Sequence, residues 1–148
     1  MSRIRRILHP SDFSRASGAA FARAVEMAKT NRAELLVVHV LAPVIPMMGD
    51  GYVSPTVYEE IESTAKRQAQ KQLDRLVAKA RAAGVRAKSL LMEGVAHEQI
   101  TRAARSKRAD LVVIGTHGRT GLAKFFLGSV AGRVVSMAHC PVLTVRGK

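Results

Sequence analysis

Apolar positions along the chain follow two rhythms. Short unbroken runs such as Ile7-Leu8, Leu35-Leu36-Val37-Val38 and Leu111-Val112-Val113-Ile114 alternate with longer stretches in which apolar residues return every three or four positions. The runs predict strands buried on both faces, as in a parallel sheet. The longer stretches predict amphipathic helices. The first strand holds Ile4, Ile7 and Leu8 and ends at His9-Pro10, because proline cannot extend the ladder. Ser14 caps a helix over 15–29, with Ala20, Phe21, Ala24, Val25 and Ala28 at helical spacing, and Thr30-Asn31 ends it. A second strand covers 34–41. A loop over 42–57 follows, with Pro43, Pro46, Gly49, Gly51 and Pro55. Loops of that length are usually functional or mobile.

The next helix is predicted over 57–83. Glu59, Glu60 and Glu62 near its start and Arg75, Lys79 and Arg81 near its end suit the helix dipole, and Gly84 terminates it. A strand over 86–92, a helix over 97–108 and a strand over 110–115 come after. A glycine-punctuated loop over 115–128 leads into a helix from Ser129 to about Met137. Pro141 precedes a last strand, Val142 to Val145. Strict alternation of strand and helix predicts a doubly wound α/β sheet in a single domain over 1–148. Ligands of such sheets bind at the carboxyl ends of the strands, where the strand order reverses. If the first and fourth strands are neighbours there, His9-Pro10-Ser11-Asp12 faces Gly115 and its loop.

Composition narrows the function. Hydrophobic residues make up 47% of the 148 and charged residues 24%, which excludes a disordered chain. Cys140 is the only cysteine, so neither a disulfide framework nor a cysteine-based zinc cage is available. No apolar run approaches the roughly 20 residues of a membrane helix. The basic start, Arg3-Ile4-Arg5-Arg6, lacks the apolar stretch of a secretory signal, so a cytoplasmic protein is expected. The net charge is +13 and uneven: residues 1–74 hold ten Lys/Arg against eight Asp/Glu, and residues 75–148 hold fourteen against three. Such a field attracts nucleotides, nucleic acid or acidic membranes, or only keeps the protein dissolved.

The stretch that separates these outcomes is Gly115-Thr116-His117-Gly118, then nine residues, then Gly128-Ser129-Val130. It follows a predicted strand and opens a predicted helix. Glycines let the backbone turn with positive φ and approach a ligand closely. Helix N-terminal amides and the dipole form an anion site, and Arg119 and Lys124 add positive charge. The chemistry is phosphate binding. The spacing is neither the Walker pattern nor the dinucleotide fingerprint.

That Gly-x2-Gly-x9-Gly-Ser spacing resembles the nucleotide-binding signature of the universal stress protein family. So do Ile7-Leu8-His9-Pro10-Ser11-Asp12-Phe13-Ser14, Val38-His39-Val40 and His139-Cys140-Pro141-Val142. The resemblance implies a Rossmann-like, adenine nucleotide alpha hydrolase-like sheet of order 3-2-1-4-5, with ATP or a related adenine nucleotide as ligand and often a homodimer. It implies that Gly115, Gly118, Gly128 and Ser129 hold phosphates and ribose, with Thr116, His117, Arg119 and Val130 beside them. It places Pro10, Ser11 and Asp12 on the opposite wall, Val40 against adenine, and Met92 and Gly94 at the closing edge.

Asp12 has two roles of equal weight: a Mg²⁺ ligand through the bound nucleotide, or a brace for the turn. His9, His39 and His117 end predicted strands but lack metal-type spacing, so hydrogen bonding is preferred over zinc. Cys140 is expected to be structural. Met47 and Met48 are either a cover for the adenine or ordinary surface residues. The terminal strand Val142–Val145 is expected to pair with a second copy. No nucleophile–base pair is recognisable, so an efficient enzyme is not expected. Three functions compete: a nucleotide-binding stress regulator with loops 42–57 and 115–128 as its switch, a basic nucleic-acid-binding protein, and a slow ATPase or phosphotransferase. The first accounts for the glycine loop; the second accounts only for the charge.

Overall fold

In the computed structural model, which describes residues 3–43, 54–117 and 127–147, the chain runs β1 (Arg6–Pro10), α1 (Arg15–Asn31), β2 (Glu34–Leu41), α2 (Pro55–Ala82), β3 (Ala87–Glu93), α3 (Ala96–Ser106), β4 (Leu111–Gly115), α4 (Ser129–Met137) and β5 (Val142–Val145). The strands form one parallel sheet of order β3-β2-β1-β4-β5, as expected. The unbroken apolar runs are what two covered faces require. Ile7, Leu35, Val37 and Val113 pack under α1 and α2, and Leu8, Leu36, Val38, Val112 and Ile114 pack under α3 and α4. Helix α1 lies close to the sheet because its buried positions are small: Ser17, Ala20, Ala24 and Ala28. Among the described residues, no helix is long and apolar enough to cross a membrane.

Several boundaries differ from the sequence reading. Strand β1, by contrast, ends at Pro10 as expected, with that residue opposite Val38. The amide of Ser11 donates to the Val38 carbonyl at 2.8 Å, so odd-numbered residues of β1 face β2. The donor that Pro10 lacks therefore points toward β4. There the pairing stops at Leu8–Val112. Helix α2 begins at Pro55, capped by the Ser54 hydroxyl, which receives the Val57 amide at 3.3 Å. This earlier start leaves the first turn without an acidic residue, so Glu59, Glu60 and Glu62 do not act on the dipole as expected. Helix α3 stops at Ser106, short of the predicted 108, because Arg108 turns left-handed at φ +54°. Ser14 caps α1 through the Ser17 amide at 3.2 Å.

Candidate functional site

Beyond Leu8 and Val112 the two central strands separate, and their carboxyl ends frame a cavity of about 300 Å³. This is the point at which the sheet order reverses. One wall is Pro10, Ser11, Asp12, Val38, His39 and Val40. The other is Ile114, Gly115, Thr116 and His117. Ala96 and Ile100 of α3, and Gly128, Ser129, Val130 and Ala131 at the start of α4, complete the lining. Val38, Ile100, Ile114 and Ala131 make an apolar floor continuous with one core cluster. An apolar group would be buried against that floor, and Ser11, Asp12, Thr116, His117 and Ser129 add polar groups to the lining.

The turn after β1 is held from several sides. The Ser11 Oγ accepts from the Phe13 amide at 3.1 Å, and Asp12 Oδ1 accepts from the Ser14 amide at 2.9 Å. His39 Nδ1 donates to the Ser11 carbonyl at 2.6 Å. A carbonyl only accepts, so the proton of this ring is on Nδ1. Phe13, at φ +63°, stacks on the His39 ring with centroids 4.2 Å apart. Asp12 thus braces the turn with one oxygen while lining the cavity. A single carboxylate suits Mg²⁺ when phosphate oxygens and water supply the remaining ligands. Among the described residues, no group of three or more His, Cys, Asp or Glu is arranged for a metal ion.

The opposite rim is made of backbone. The N-cap of α4 is Gly128, with no side-chain cap, and α3 begins at Val95 in the same way. Helices α1 and α2 carry serine caps. The two helices without caps are the two whose first turns line the cavity. Their first amides and positive dipole ends favour an anion there. Ser129 is therefore the first residue of α4 rather than its cap. Gly128 donates to the Thr116 carbonyl at 2.6 Å, which ties the start of α4 to the end of β4. A Cβ on Gly128 would stand 2.8 Å from that oxygen, whereas one on Gly115 would meet nothing closer than 3.6 Å. Neither glycine has the positive φ expected of it: Gly128 sits at φ −58°, and positive φ among described glycines occurs only at Gly84 and Gly94. Close approach, not turn geometry, is what Gly128 provides.

Of the residues singled out from the sequence, Pro10, Ser11, Asp12, Val40, Gly115, Thr116, His117, Gly128, Ser129 and Val130 meet at this cavity. Gly118, Arg119, Lys124, Met47 and Met48 lie outside the described residues. Met92 and Gly94 do not line the cavity. Met92 packs against the core, and Gly94, at φ +136°, turns the chain with its amide on the Leu41 carbonyl. The three histidines do not converge. His9 is fully buried on the α1 side against Phe21, His39 holds the turn, and His117 Nδ1 shares a hydrogen bond with Thr116 Oγ1 at 3.0 Å. Burial pushes the Cys140 thiol up from its usual range, so it is no ready nucleophile. Sequence reasoning missed Ala96, Ile100, Ile114 and Ala131 as lining residues. The signal for Ile114 was its place two residues past Val112, on the same face of β4.

The model of the universal stress protein family matches residues 3–146. Universal stress protein MJ0531 of Methanocaldococcus jannaschii is 36% identical over 144 residues, covering 96% of this chain and 82% of that protein. The structure of universal stress protein UspA from Lactobacillus plantarum superposes with a TM-score of 0.82 at 25% identity, over 99% of this chain and 100% of that one. An Arabidopsis thaliana universal stress protein family structure with AMP bound has a TM-score of 0.70 at 21% identity, over 97% and 92% of the two chains.

Proposed function

The chain belongs to the universal stress protein family, and from that premise we propose that it is a cytoplasmic regulatory protein that binds ATP at the split between β1 and β4. The observation that carries this reading is the meeting of two helix N-termini without side-chain caps at one apolar-floored cavity. A nucleotide has both parts: a flat base for the floor and phosphates for the amides. The AMP in a relative of the same fold supports an adenine base.

In this reading Gly115, Thr116, His117, Gly128, Ser129 and Val130 hold the phosphates and ribose, with Gly118 and Arg119 from the intervening segment. Val40 meets the adenine. Pro10, Ser11 and Asp12 form the other wall, and Asp12 takes Mg²⁺ carried by the phosphates. The charge of Asp12 then serves the metal while its bond to Ser14 serves the turn. Bound nucleotide alters the surface around the cavity, with 42–57 and 115–128 as the switch, and a partner reads that surface as part of a stress response. The edge strand β5 pairs with its copy in a homodimer, its unpaired backbone groups finding each other across a two-fold axis.

The test is the nucleotide content of the purified protein. Denaturation and ion-exchange separation of the supernatant should release near-stoichiometric adenine nucleotide. Protein that is empty and also fails to bind added Mg-ATP overturns the reading. Sedimentation across a concentration series tests the dimer, and a monomer at every concentration rejects it.

A further inference from the structure

At the other end of the sheet, where the strands begin, the fold gathers cations that are far apart in the chain. In sheet order from β3 to β4 they are Arg86, Arg32, Arg5, Arg6, Lys107 and Arg108. Backbone and side-chain bonds tie them together. Arg86 Nη2 donates to the Arg32 carbonyl at 3.3 Å, the Glu34 amide donates to the Arg5 carbonyl at 2.9 Å, and Arg6 Nη1 donates to the Lys107 carbonyl at 2.6 Å. All but Arg6 are exposed. Two acids stand among them. Glu34 is shared by Arg6 at 3.5 Å and Lys88 at 3.7 Å, and Asp110 Oδ2 accepts the amides of Arg5 and Arg6. Four strands about 4.8 Å apart spread this row over roughly 14 Å.

Surface charge alone would be compatible with mere solubility. The backbone at two of these residues argues for more. Helices α1, α2 and α3 all end in the same corner: a left-handed residue, then a buried small residue whose amide reaches back into the helix. The returning bonds are Ala33 to Ala28 at 2.8 Å, Val85 to Ala80 at 3.0 Å and Ala109 to Ala104 at 2.8 Å. Glycine fills the left-handed position after α2, at Gly84 with φ +89°. Arginine fills it after α1 and α3, at Arg32 and Arg108, both at φ +54°. A side chain is disfavoured in that conformation, and glycine is the residue these corners favour. The helix dipole does not require arginine there, because Lys29, Lys79, Arg81 and Arg105 already supply cations in the last helical turns. Strain retained at an exposed charged residue points to use of that charge.

We propose that this row is a second binding surface, separate from the cavity, for the phosphate backbone of double-stranded nucleic acid. A linear row of cations fits a linear polyanion. The row contains no aromatic side chain on which unpaired bases would stack, so it suits a duplex read through its phosphates, without sequence preference.

The experiment is fluorescence anisotropy with a labelled DNA duplex of about 20 base pairs, from low to moderate salt, on the wild type and on the double variant R32G/R108G. The wild type should bind with a slope of log K on log salt of about −4. The double variant should keep or raise its melting temperature, keep its Mg-ATP affinity, and bind the duplex with a slope shallower by about two. A wild type that does not bind the duplex at low salt overturns the proposal, as does a double variant with unchanged slope. Binding to phosphatidylserine vesicles in place of duplex also overturns it, because the surface would then serve a membrane.

Discussion

His9 Nδ1 lies 2.9 Å from the carbonyl oxygen of Val113, where the ladder between β1 and β4 would have had the amide of residue 10. The register Leu8–Val112 makes residue 10 the next β1 donor toward β4, and that residue is proline. The imidazole replaces the missing donor from within the same strand. Because the carbonyl only accepts, the proton is on Nδ1, and Nε2 is left buried without a hydrogen-bond partner. Pro10 opens the crevice, and His9 satisfies the acceptor that this leaves.

His9→Leu should therefore cost about 1–3 kcal/mol, the penalty of an orphaned buried carbonyl. Adding Pro10→Ala should recover much of it by restoring a backbone donor. Denaturant melts of both single variants and the double give the coupling. Strict additivity would show that the two residues act independently.

Acid sensitivity follows from the same ring. Burial lowers the His9 pKa from 6.5 to about 4, while the Val113 bond and the charge of Asp12 pull the other way. The folded state binds its proton later than the unfolded state. Its contribution is complete above pH 6.5, falls as pH drops through the unfolded value, and levels off near pH 4. The window amounts to about 3 kcal/mol. Stability measured from pH 7 to pH 4 should fall more steeply for the wild type than for His9→Asn. Equal slopes would assign the acid loss to other groups.

The two glycines that line the cavity should respond differently. Gly128→Ala puts a Cβ against the Thr116 carbonyl and should reduce Mg-ATP affinity at least tenfold. Gly115→Ala meets only ordinary contacts and should stay within a few-fold of the wild type. Calorimetric titration distinguishes them, and the reverse order would refute the close-approach account of Gly128.

Asp12→Asn keeps an oxygen for the Ser14 amide and removes the charge. Melting temperature should change little. Mg-ATP affinity should fall more than metal-free ATP affinity, by roughly tenfold if one ligand to the metal is lost. Equal losses would leave Asp12 as a brace alone.

Much of this architecture was legible because the runs at Leu35–Val38 and Leu111–Ile114 leave no polar face, and only a sheet covered on both sides buries such strands. Pro10 was legible as the end of β1, but that its missing donor matters only toward β4 was not, because the sequence does not reveal which neighbour an amide faces. That Gly128 caps α4 without a side chain was not legible for a similar reason. Which of two adjacent residues caps a helix depends on a turn's φ and ψ, and both types suit the position. Met92 in β3 and Gly94 just after it lie two strands away from the split, so sheet order alone sets them apart from the cavity. The lining residues Ala96 and Ile100 come from helix α3, and no local spacing marks them.

The central strand of the sheet, β1, is the first to be made. β1 and β2 are separated only by α1, but β4 begins about a hundred residues after β1. During synthesis the β4-facing edge of β1 waits open while β2 and β3 take their places. Open edges invite foreign strands. Pro10 offers no donor on that waiting edge, so the residue that shapes the cavity in the finished protein also shortens the template on which a nascent chain would aggregate.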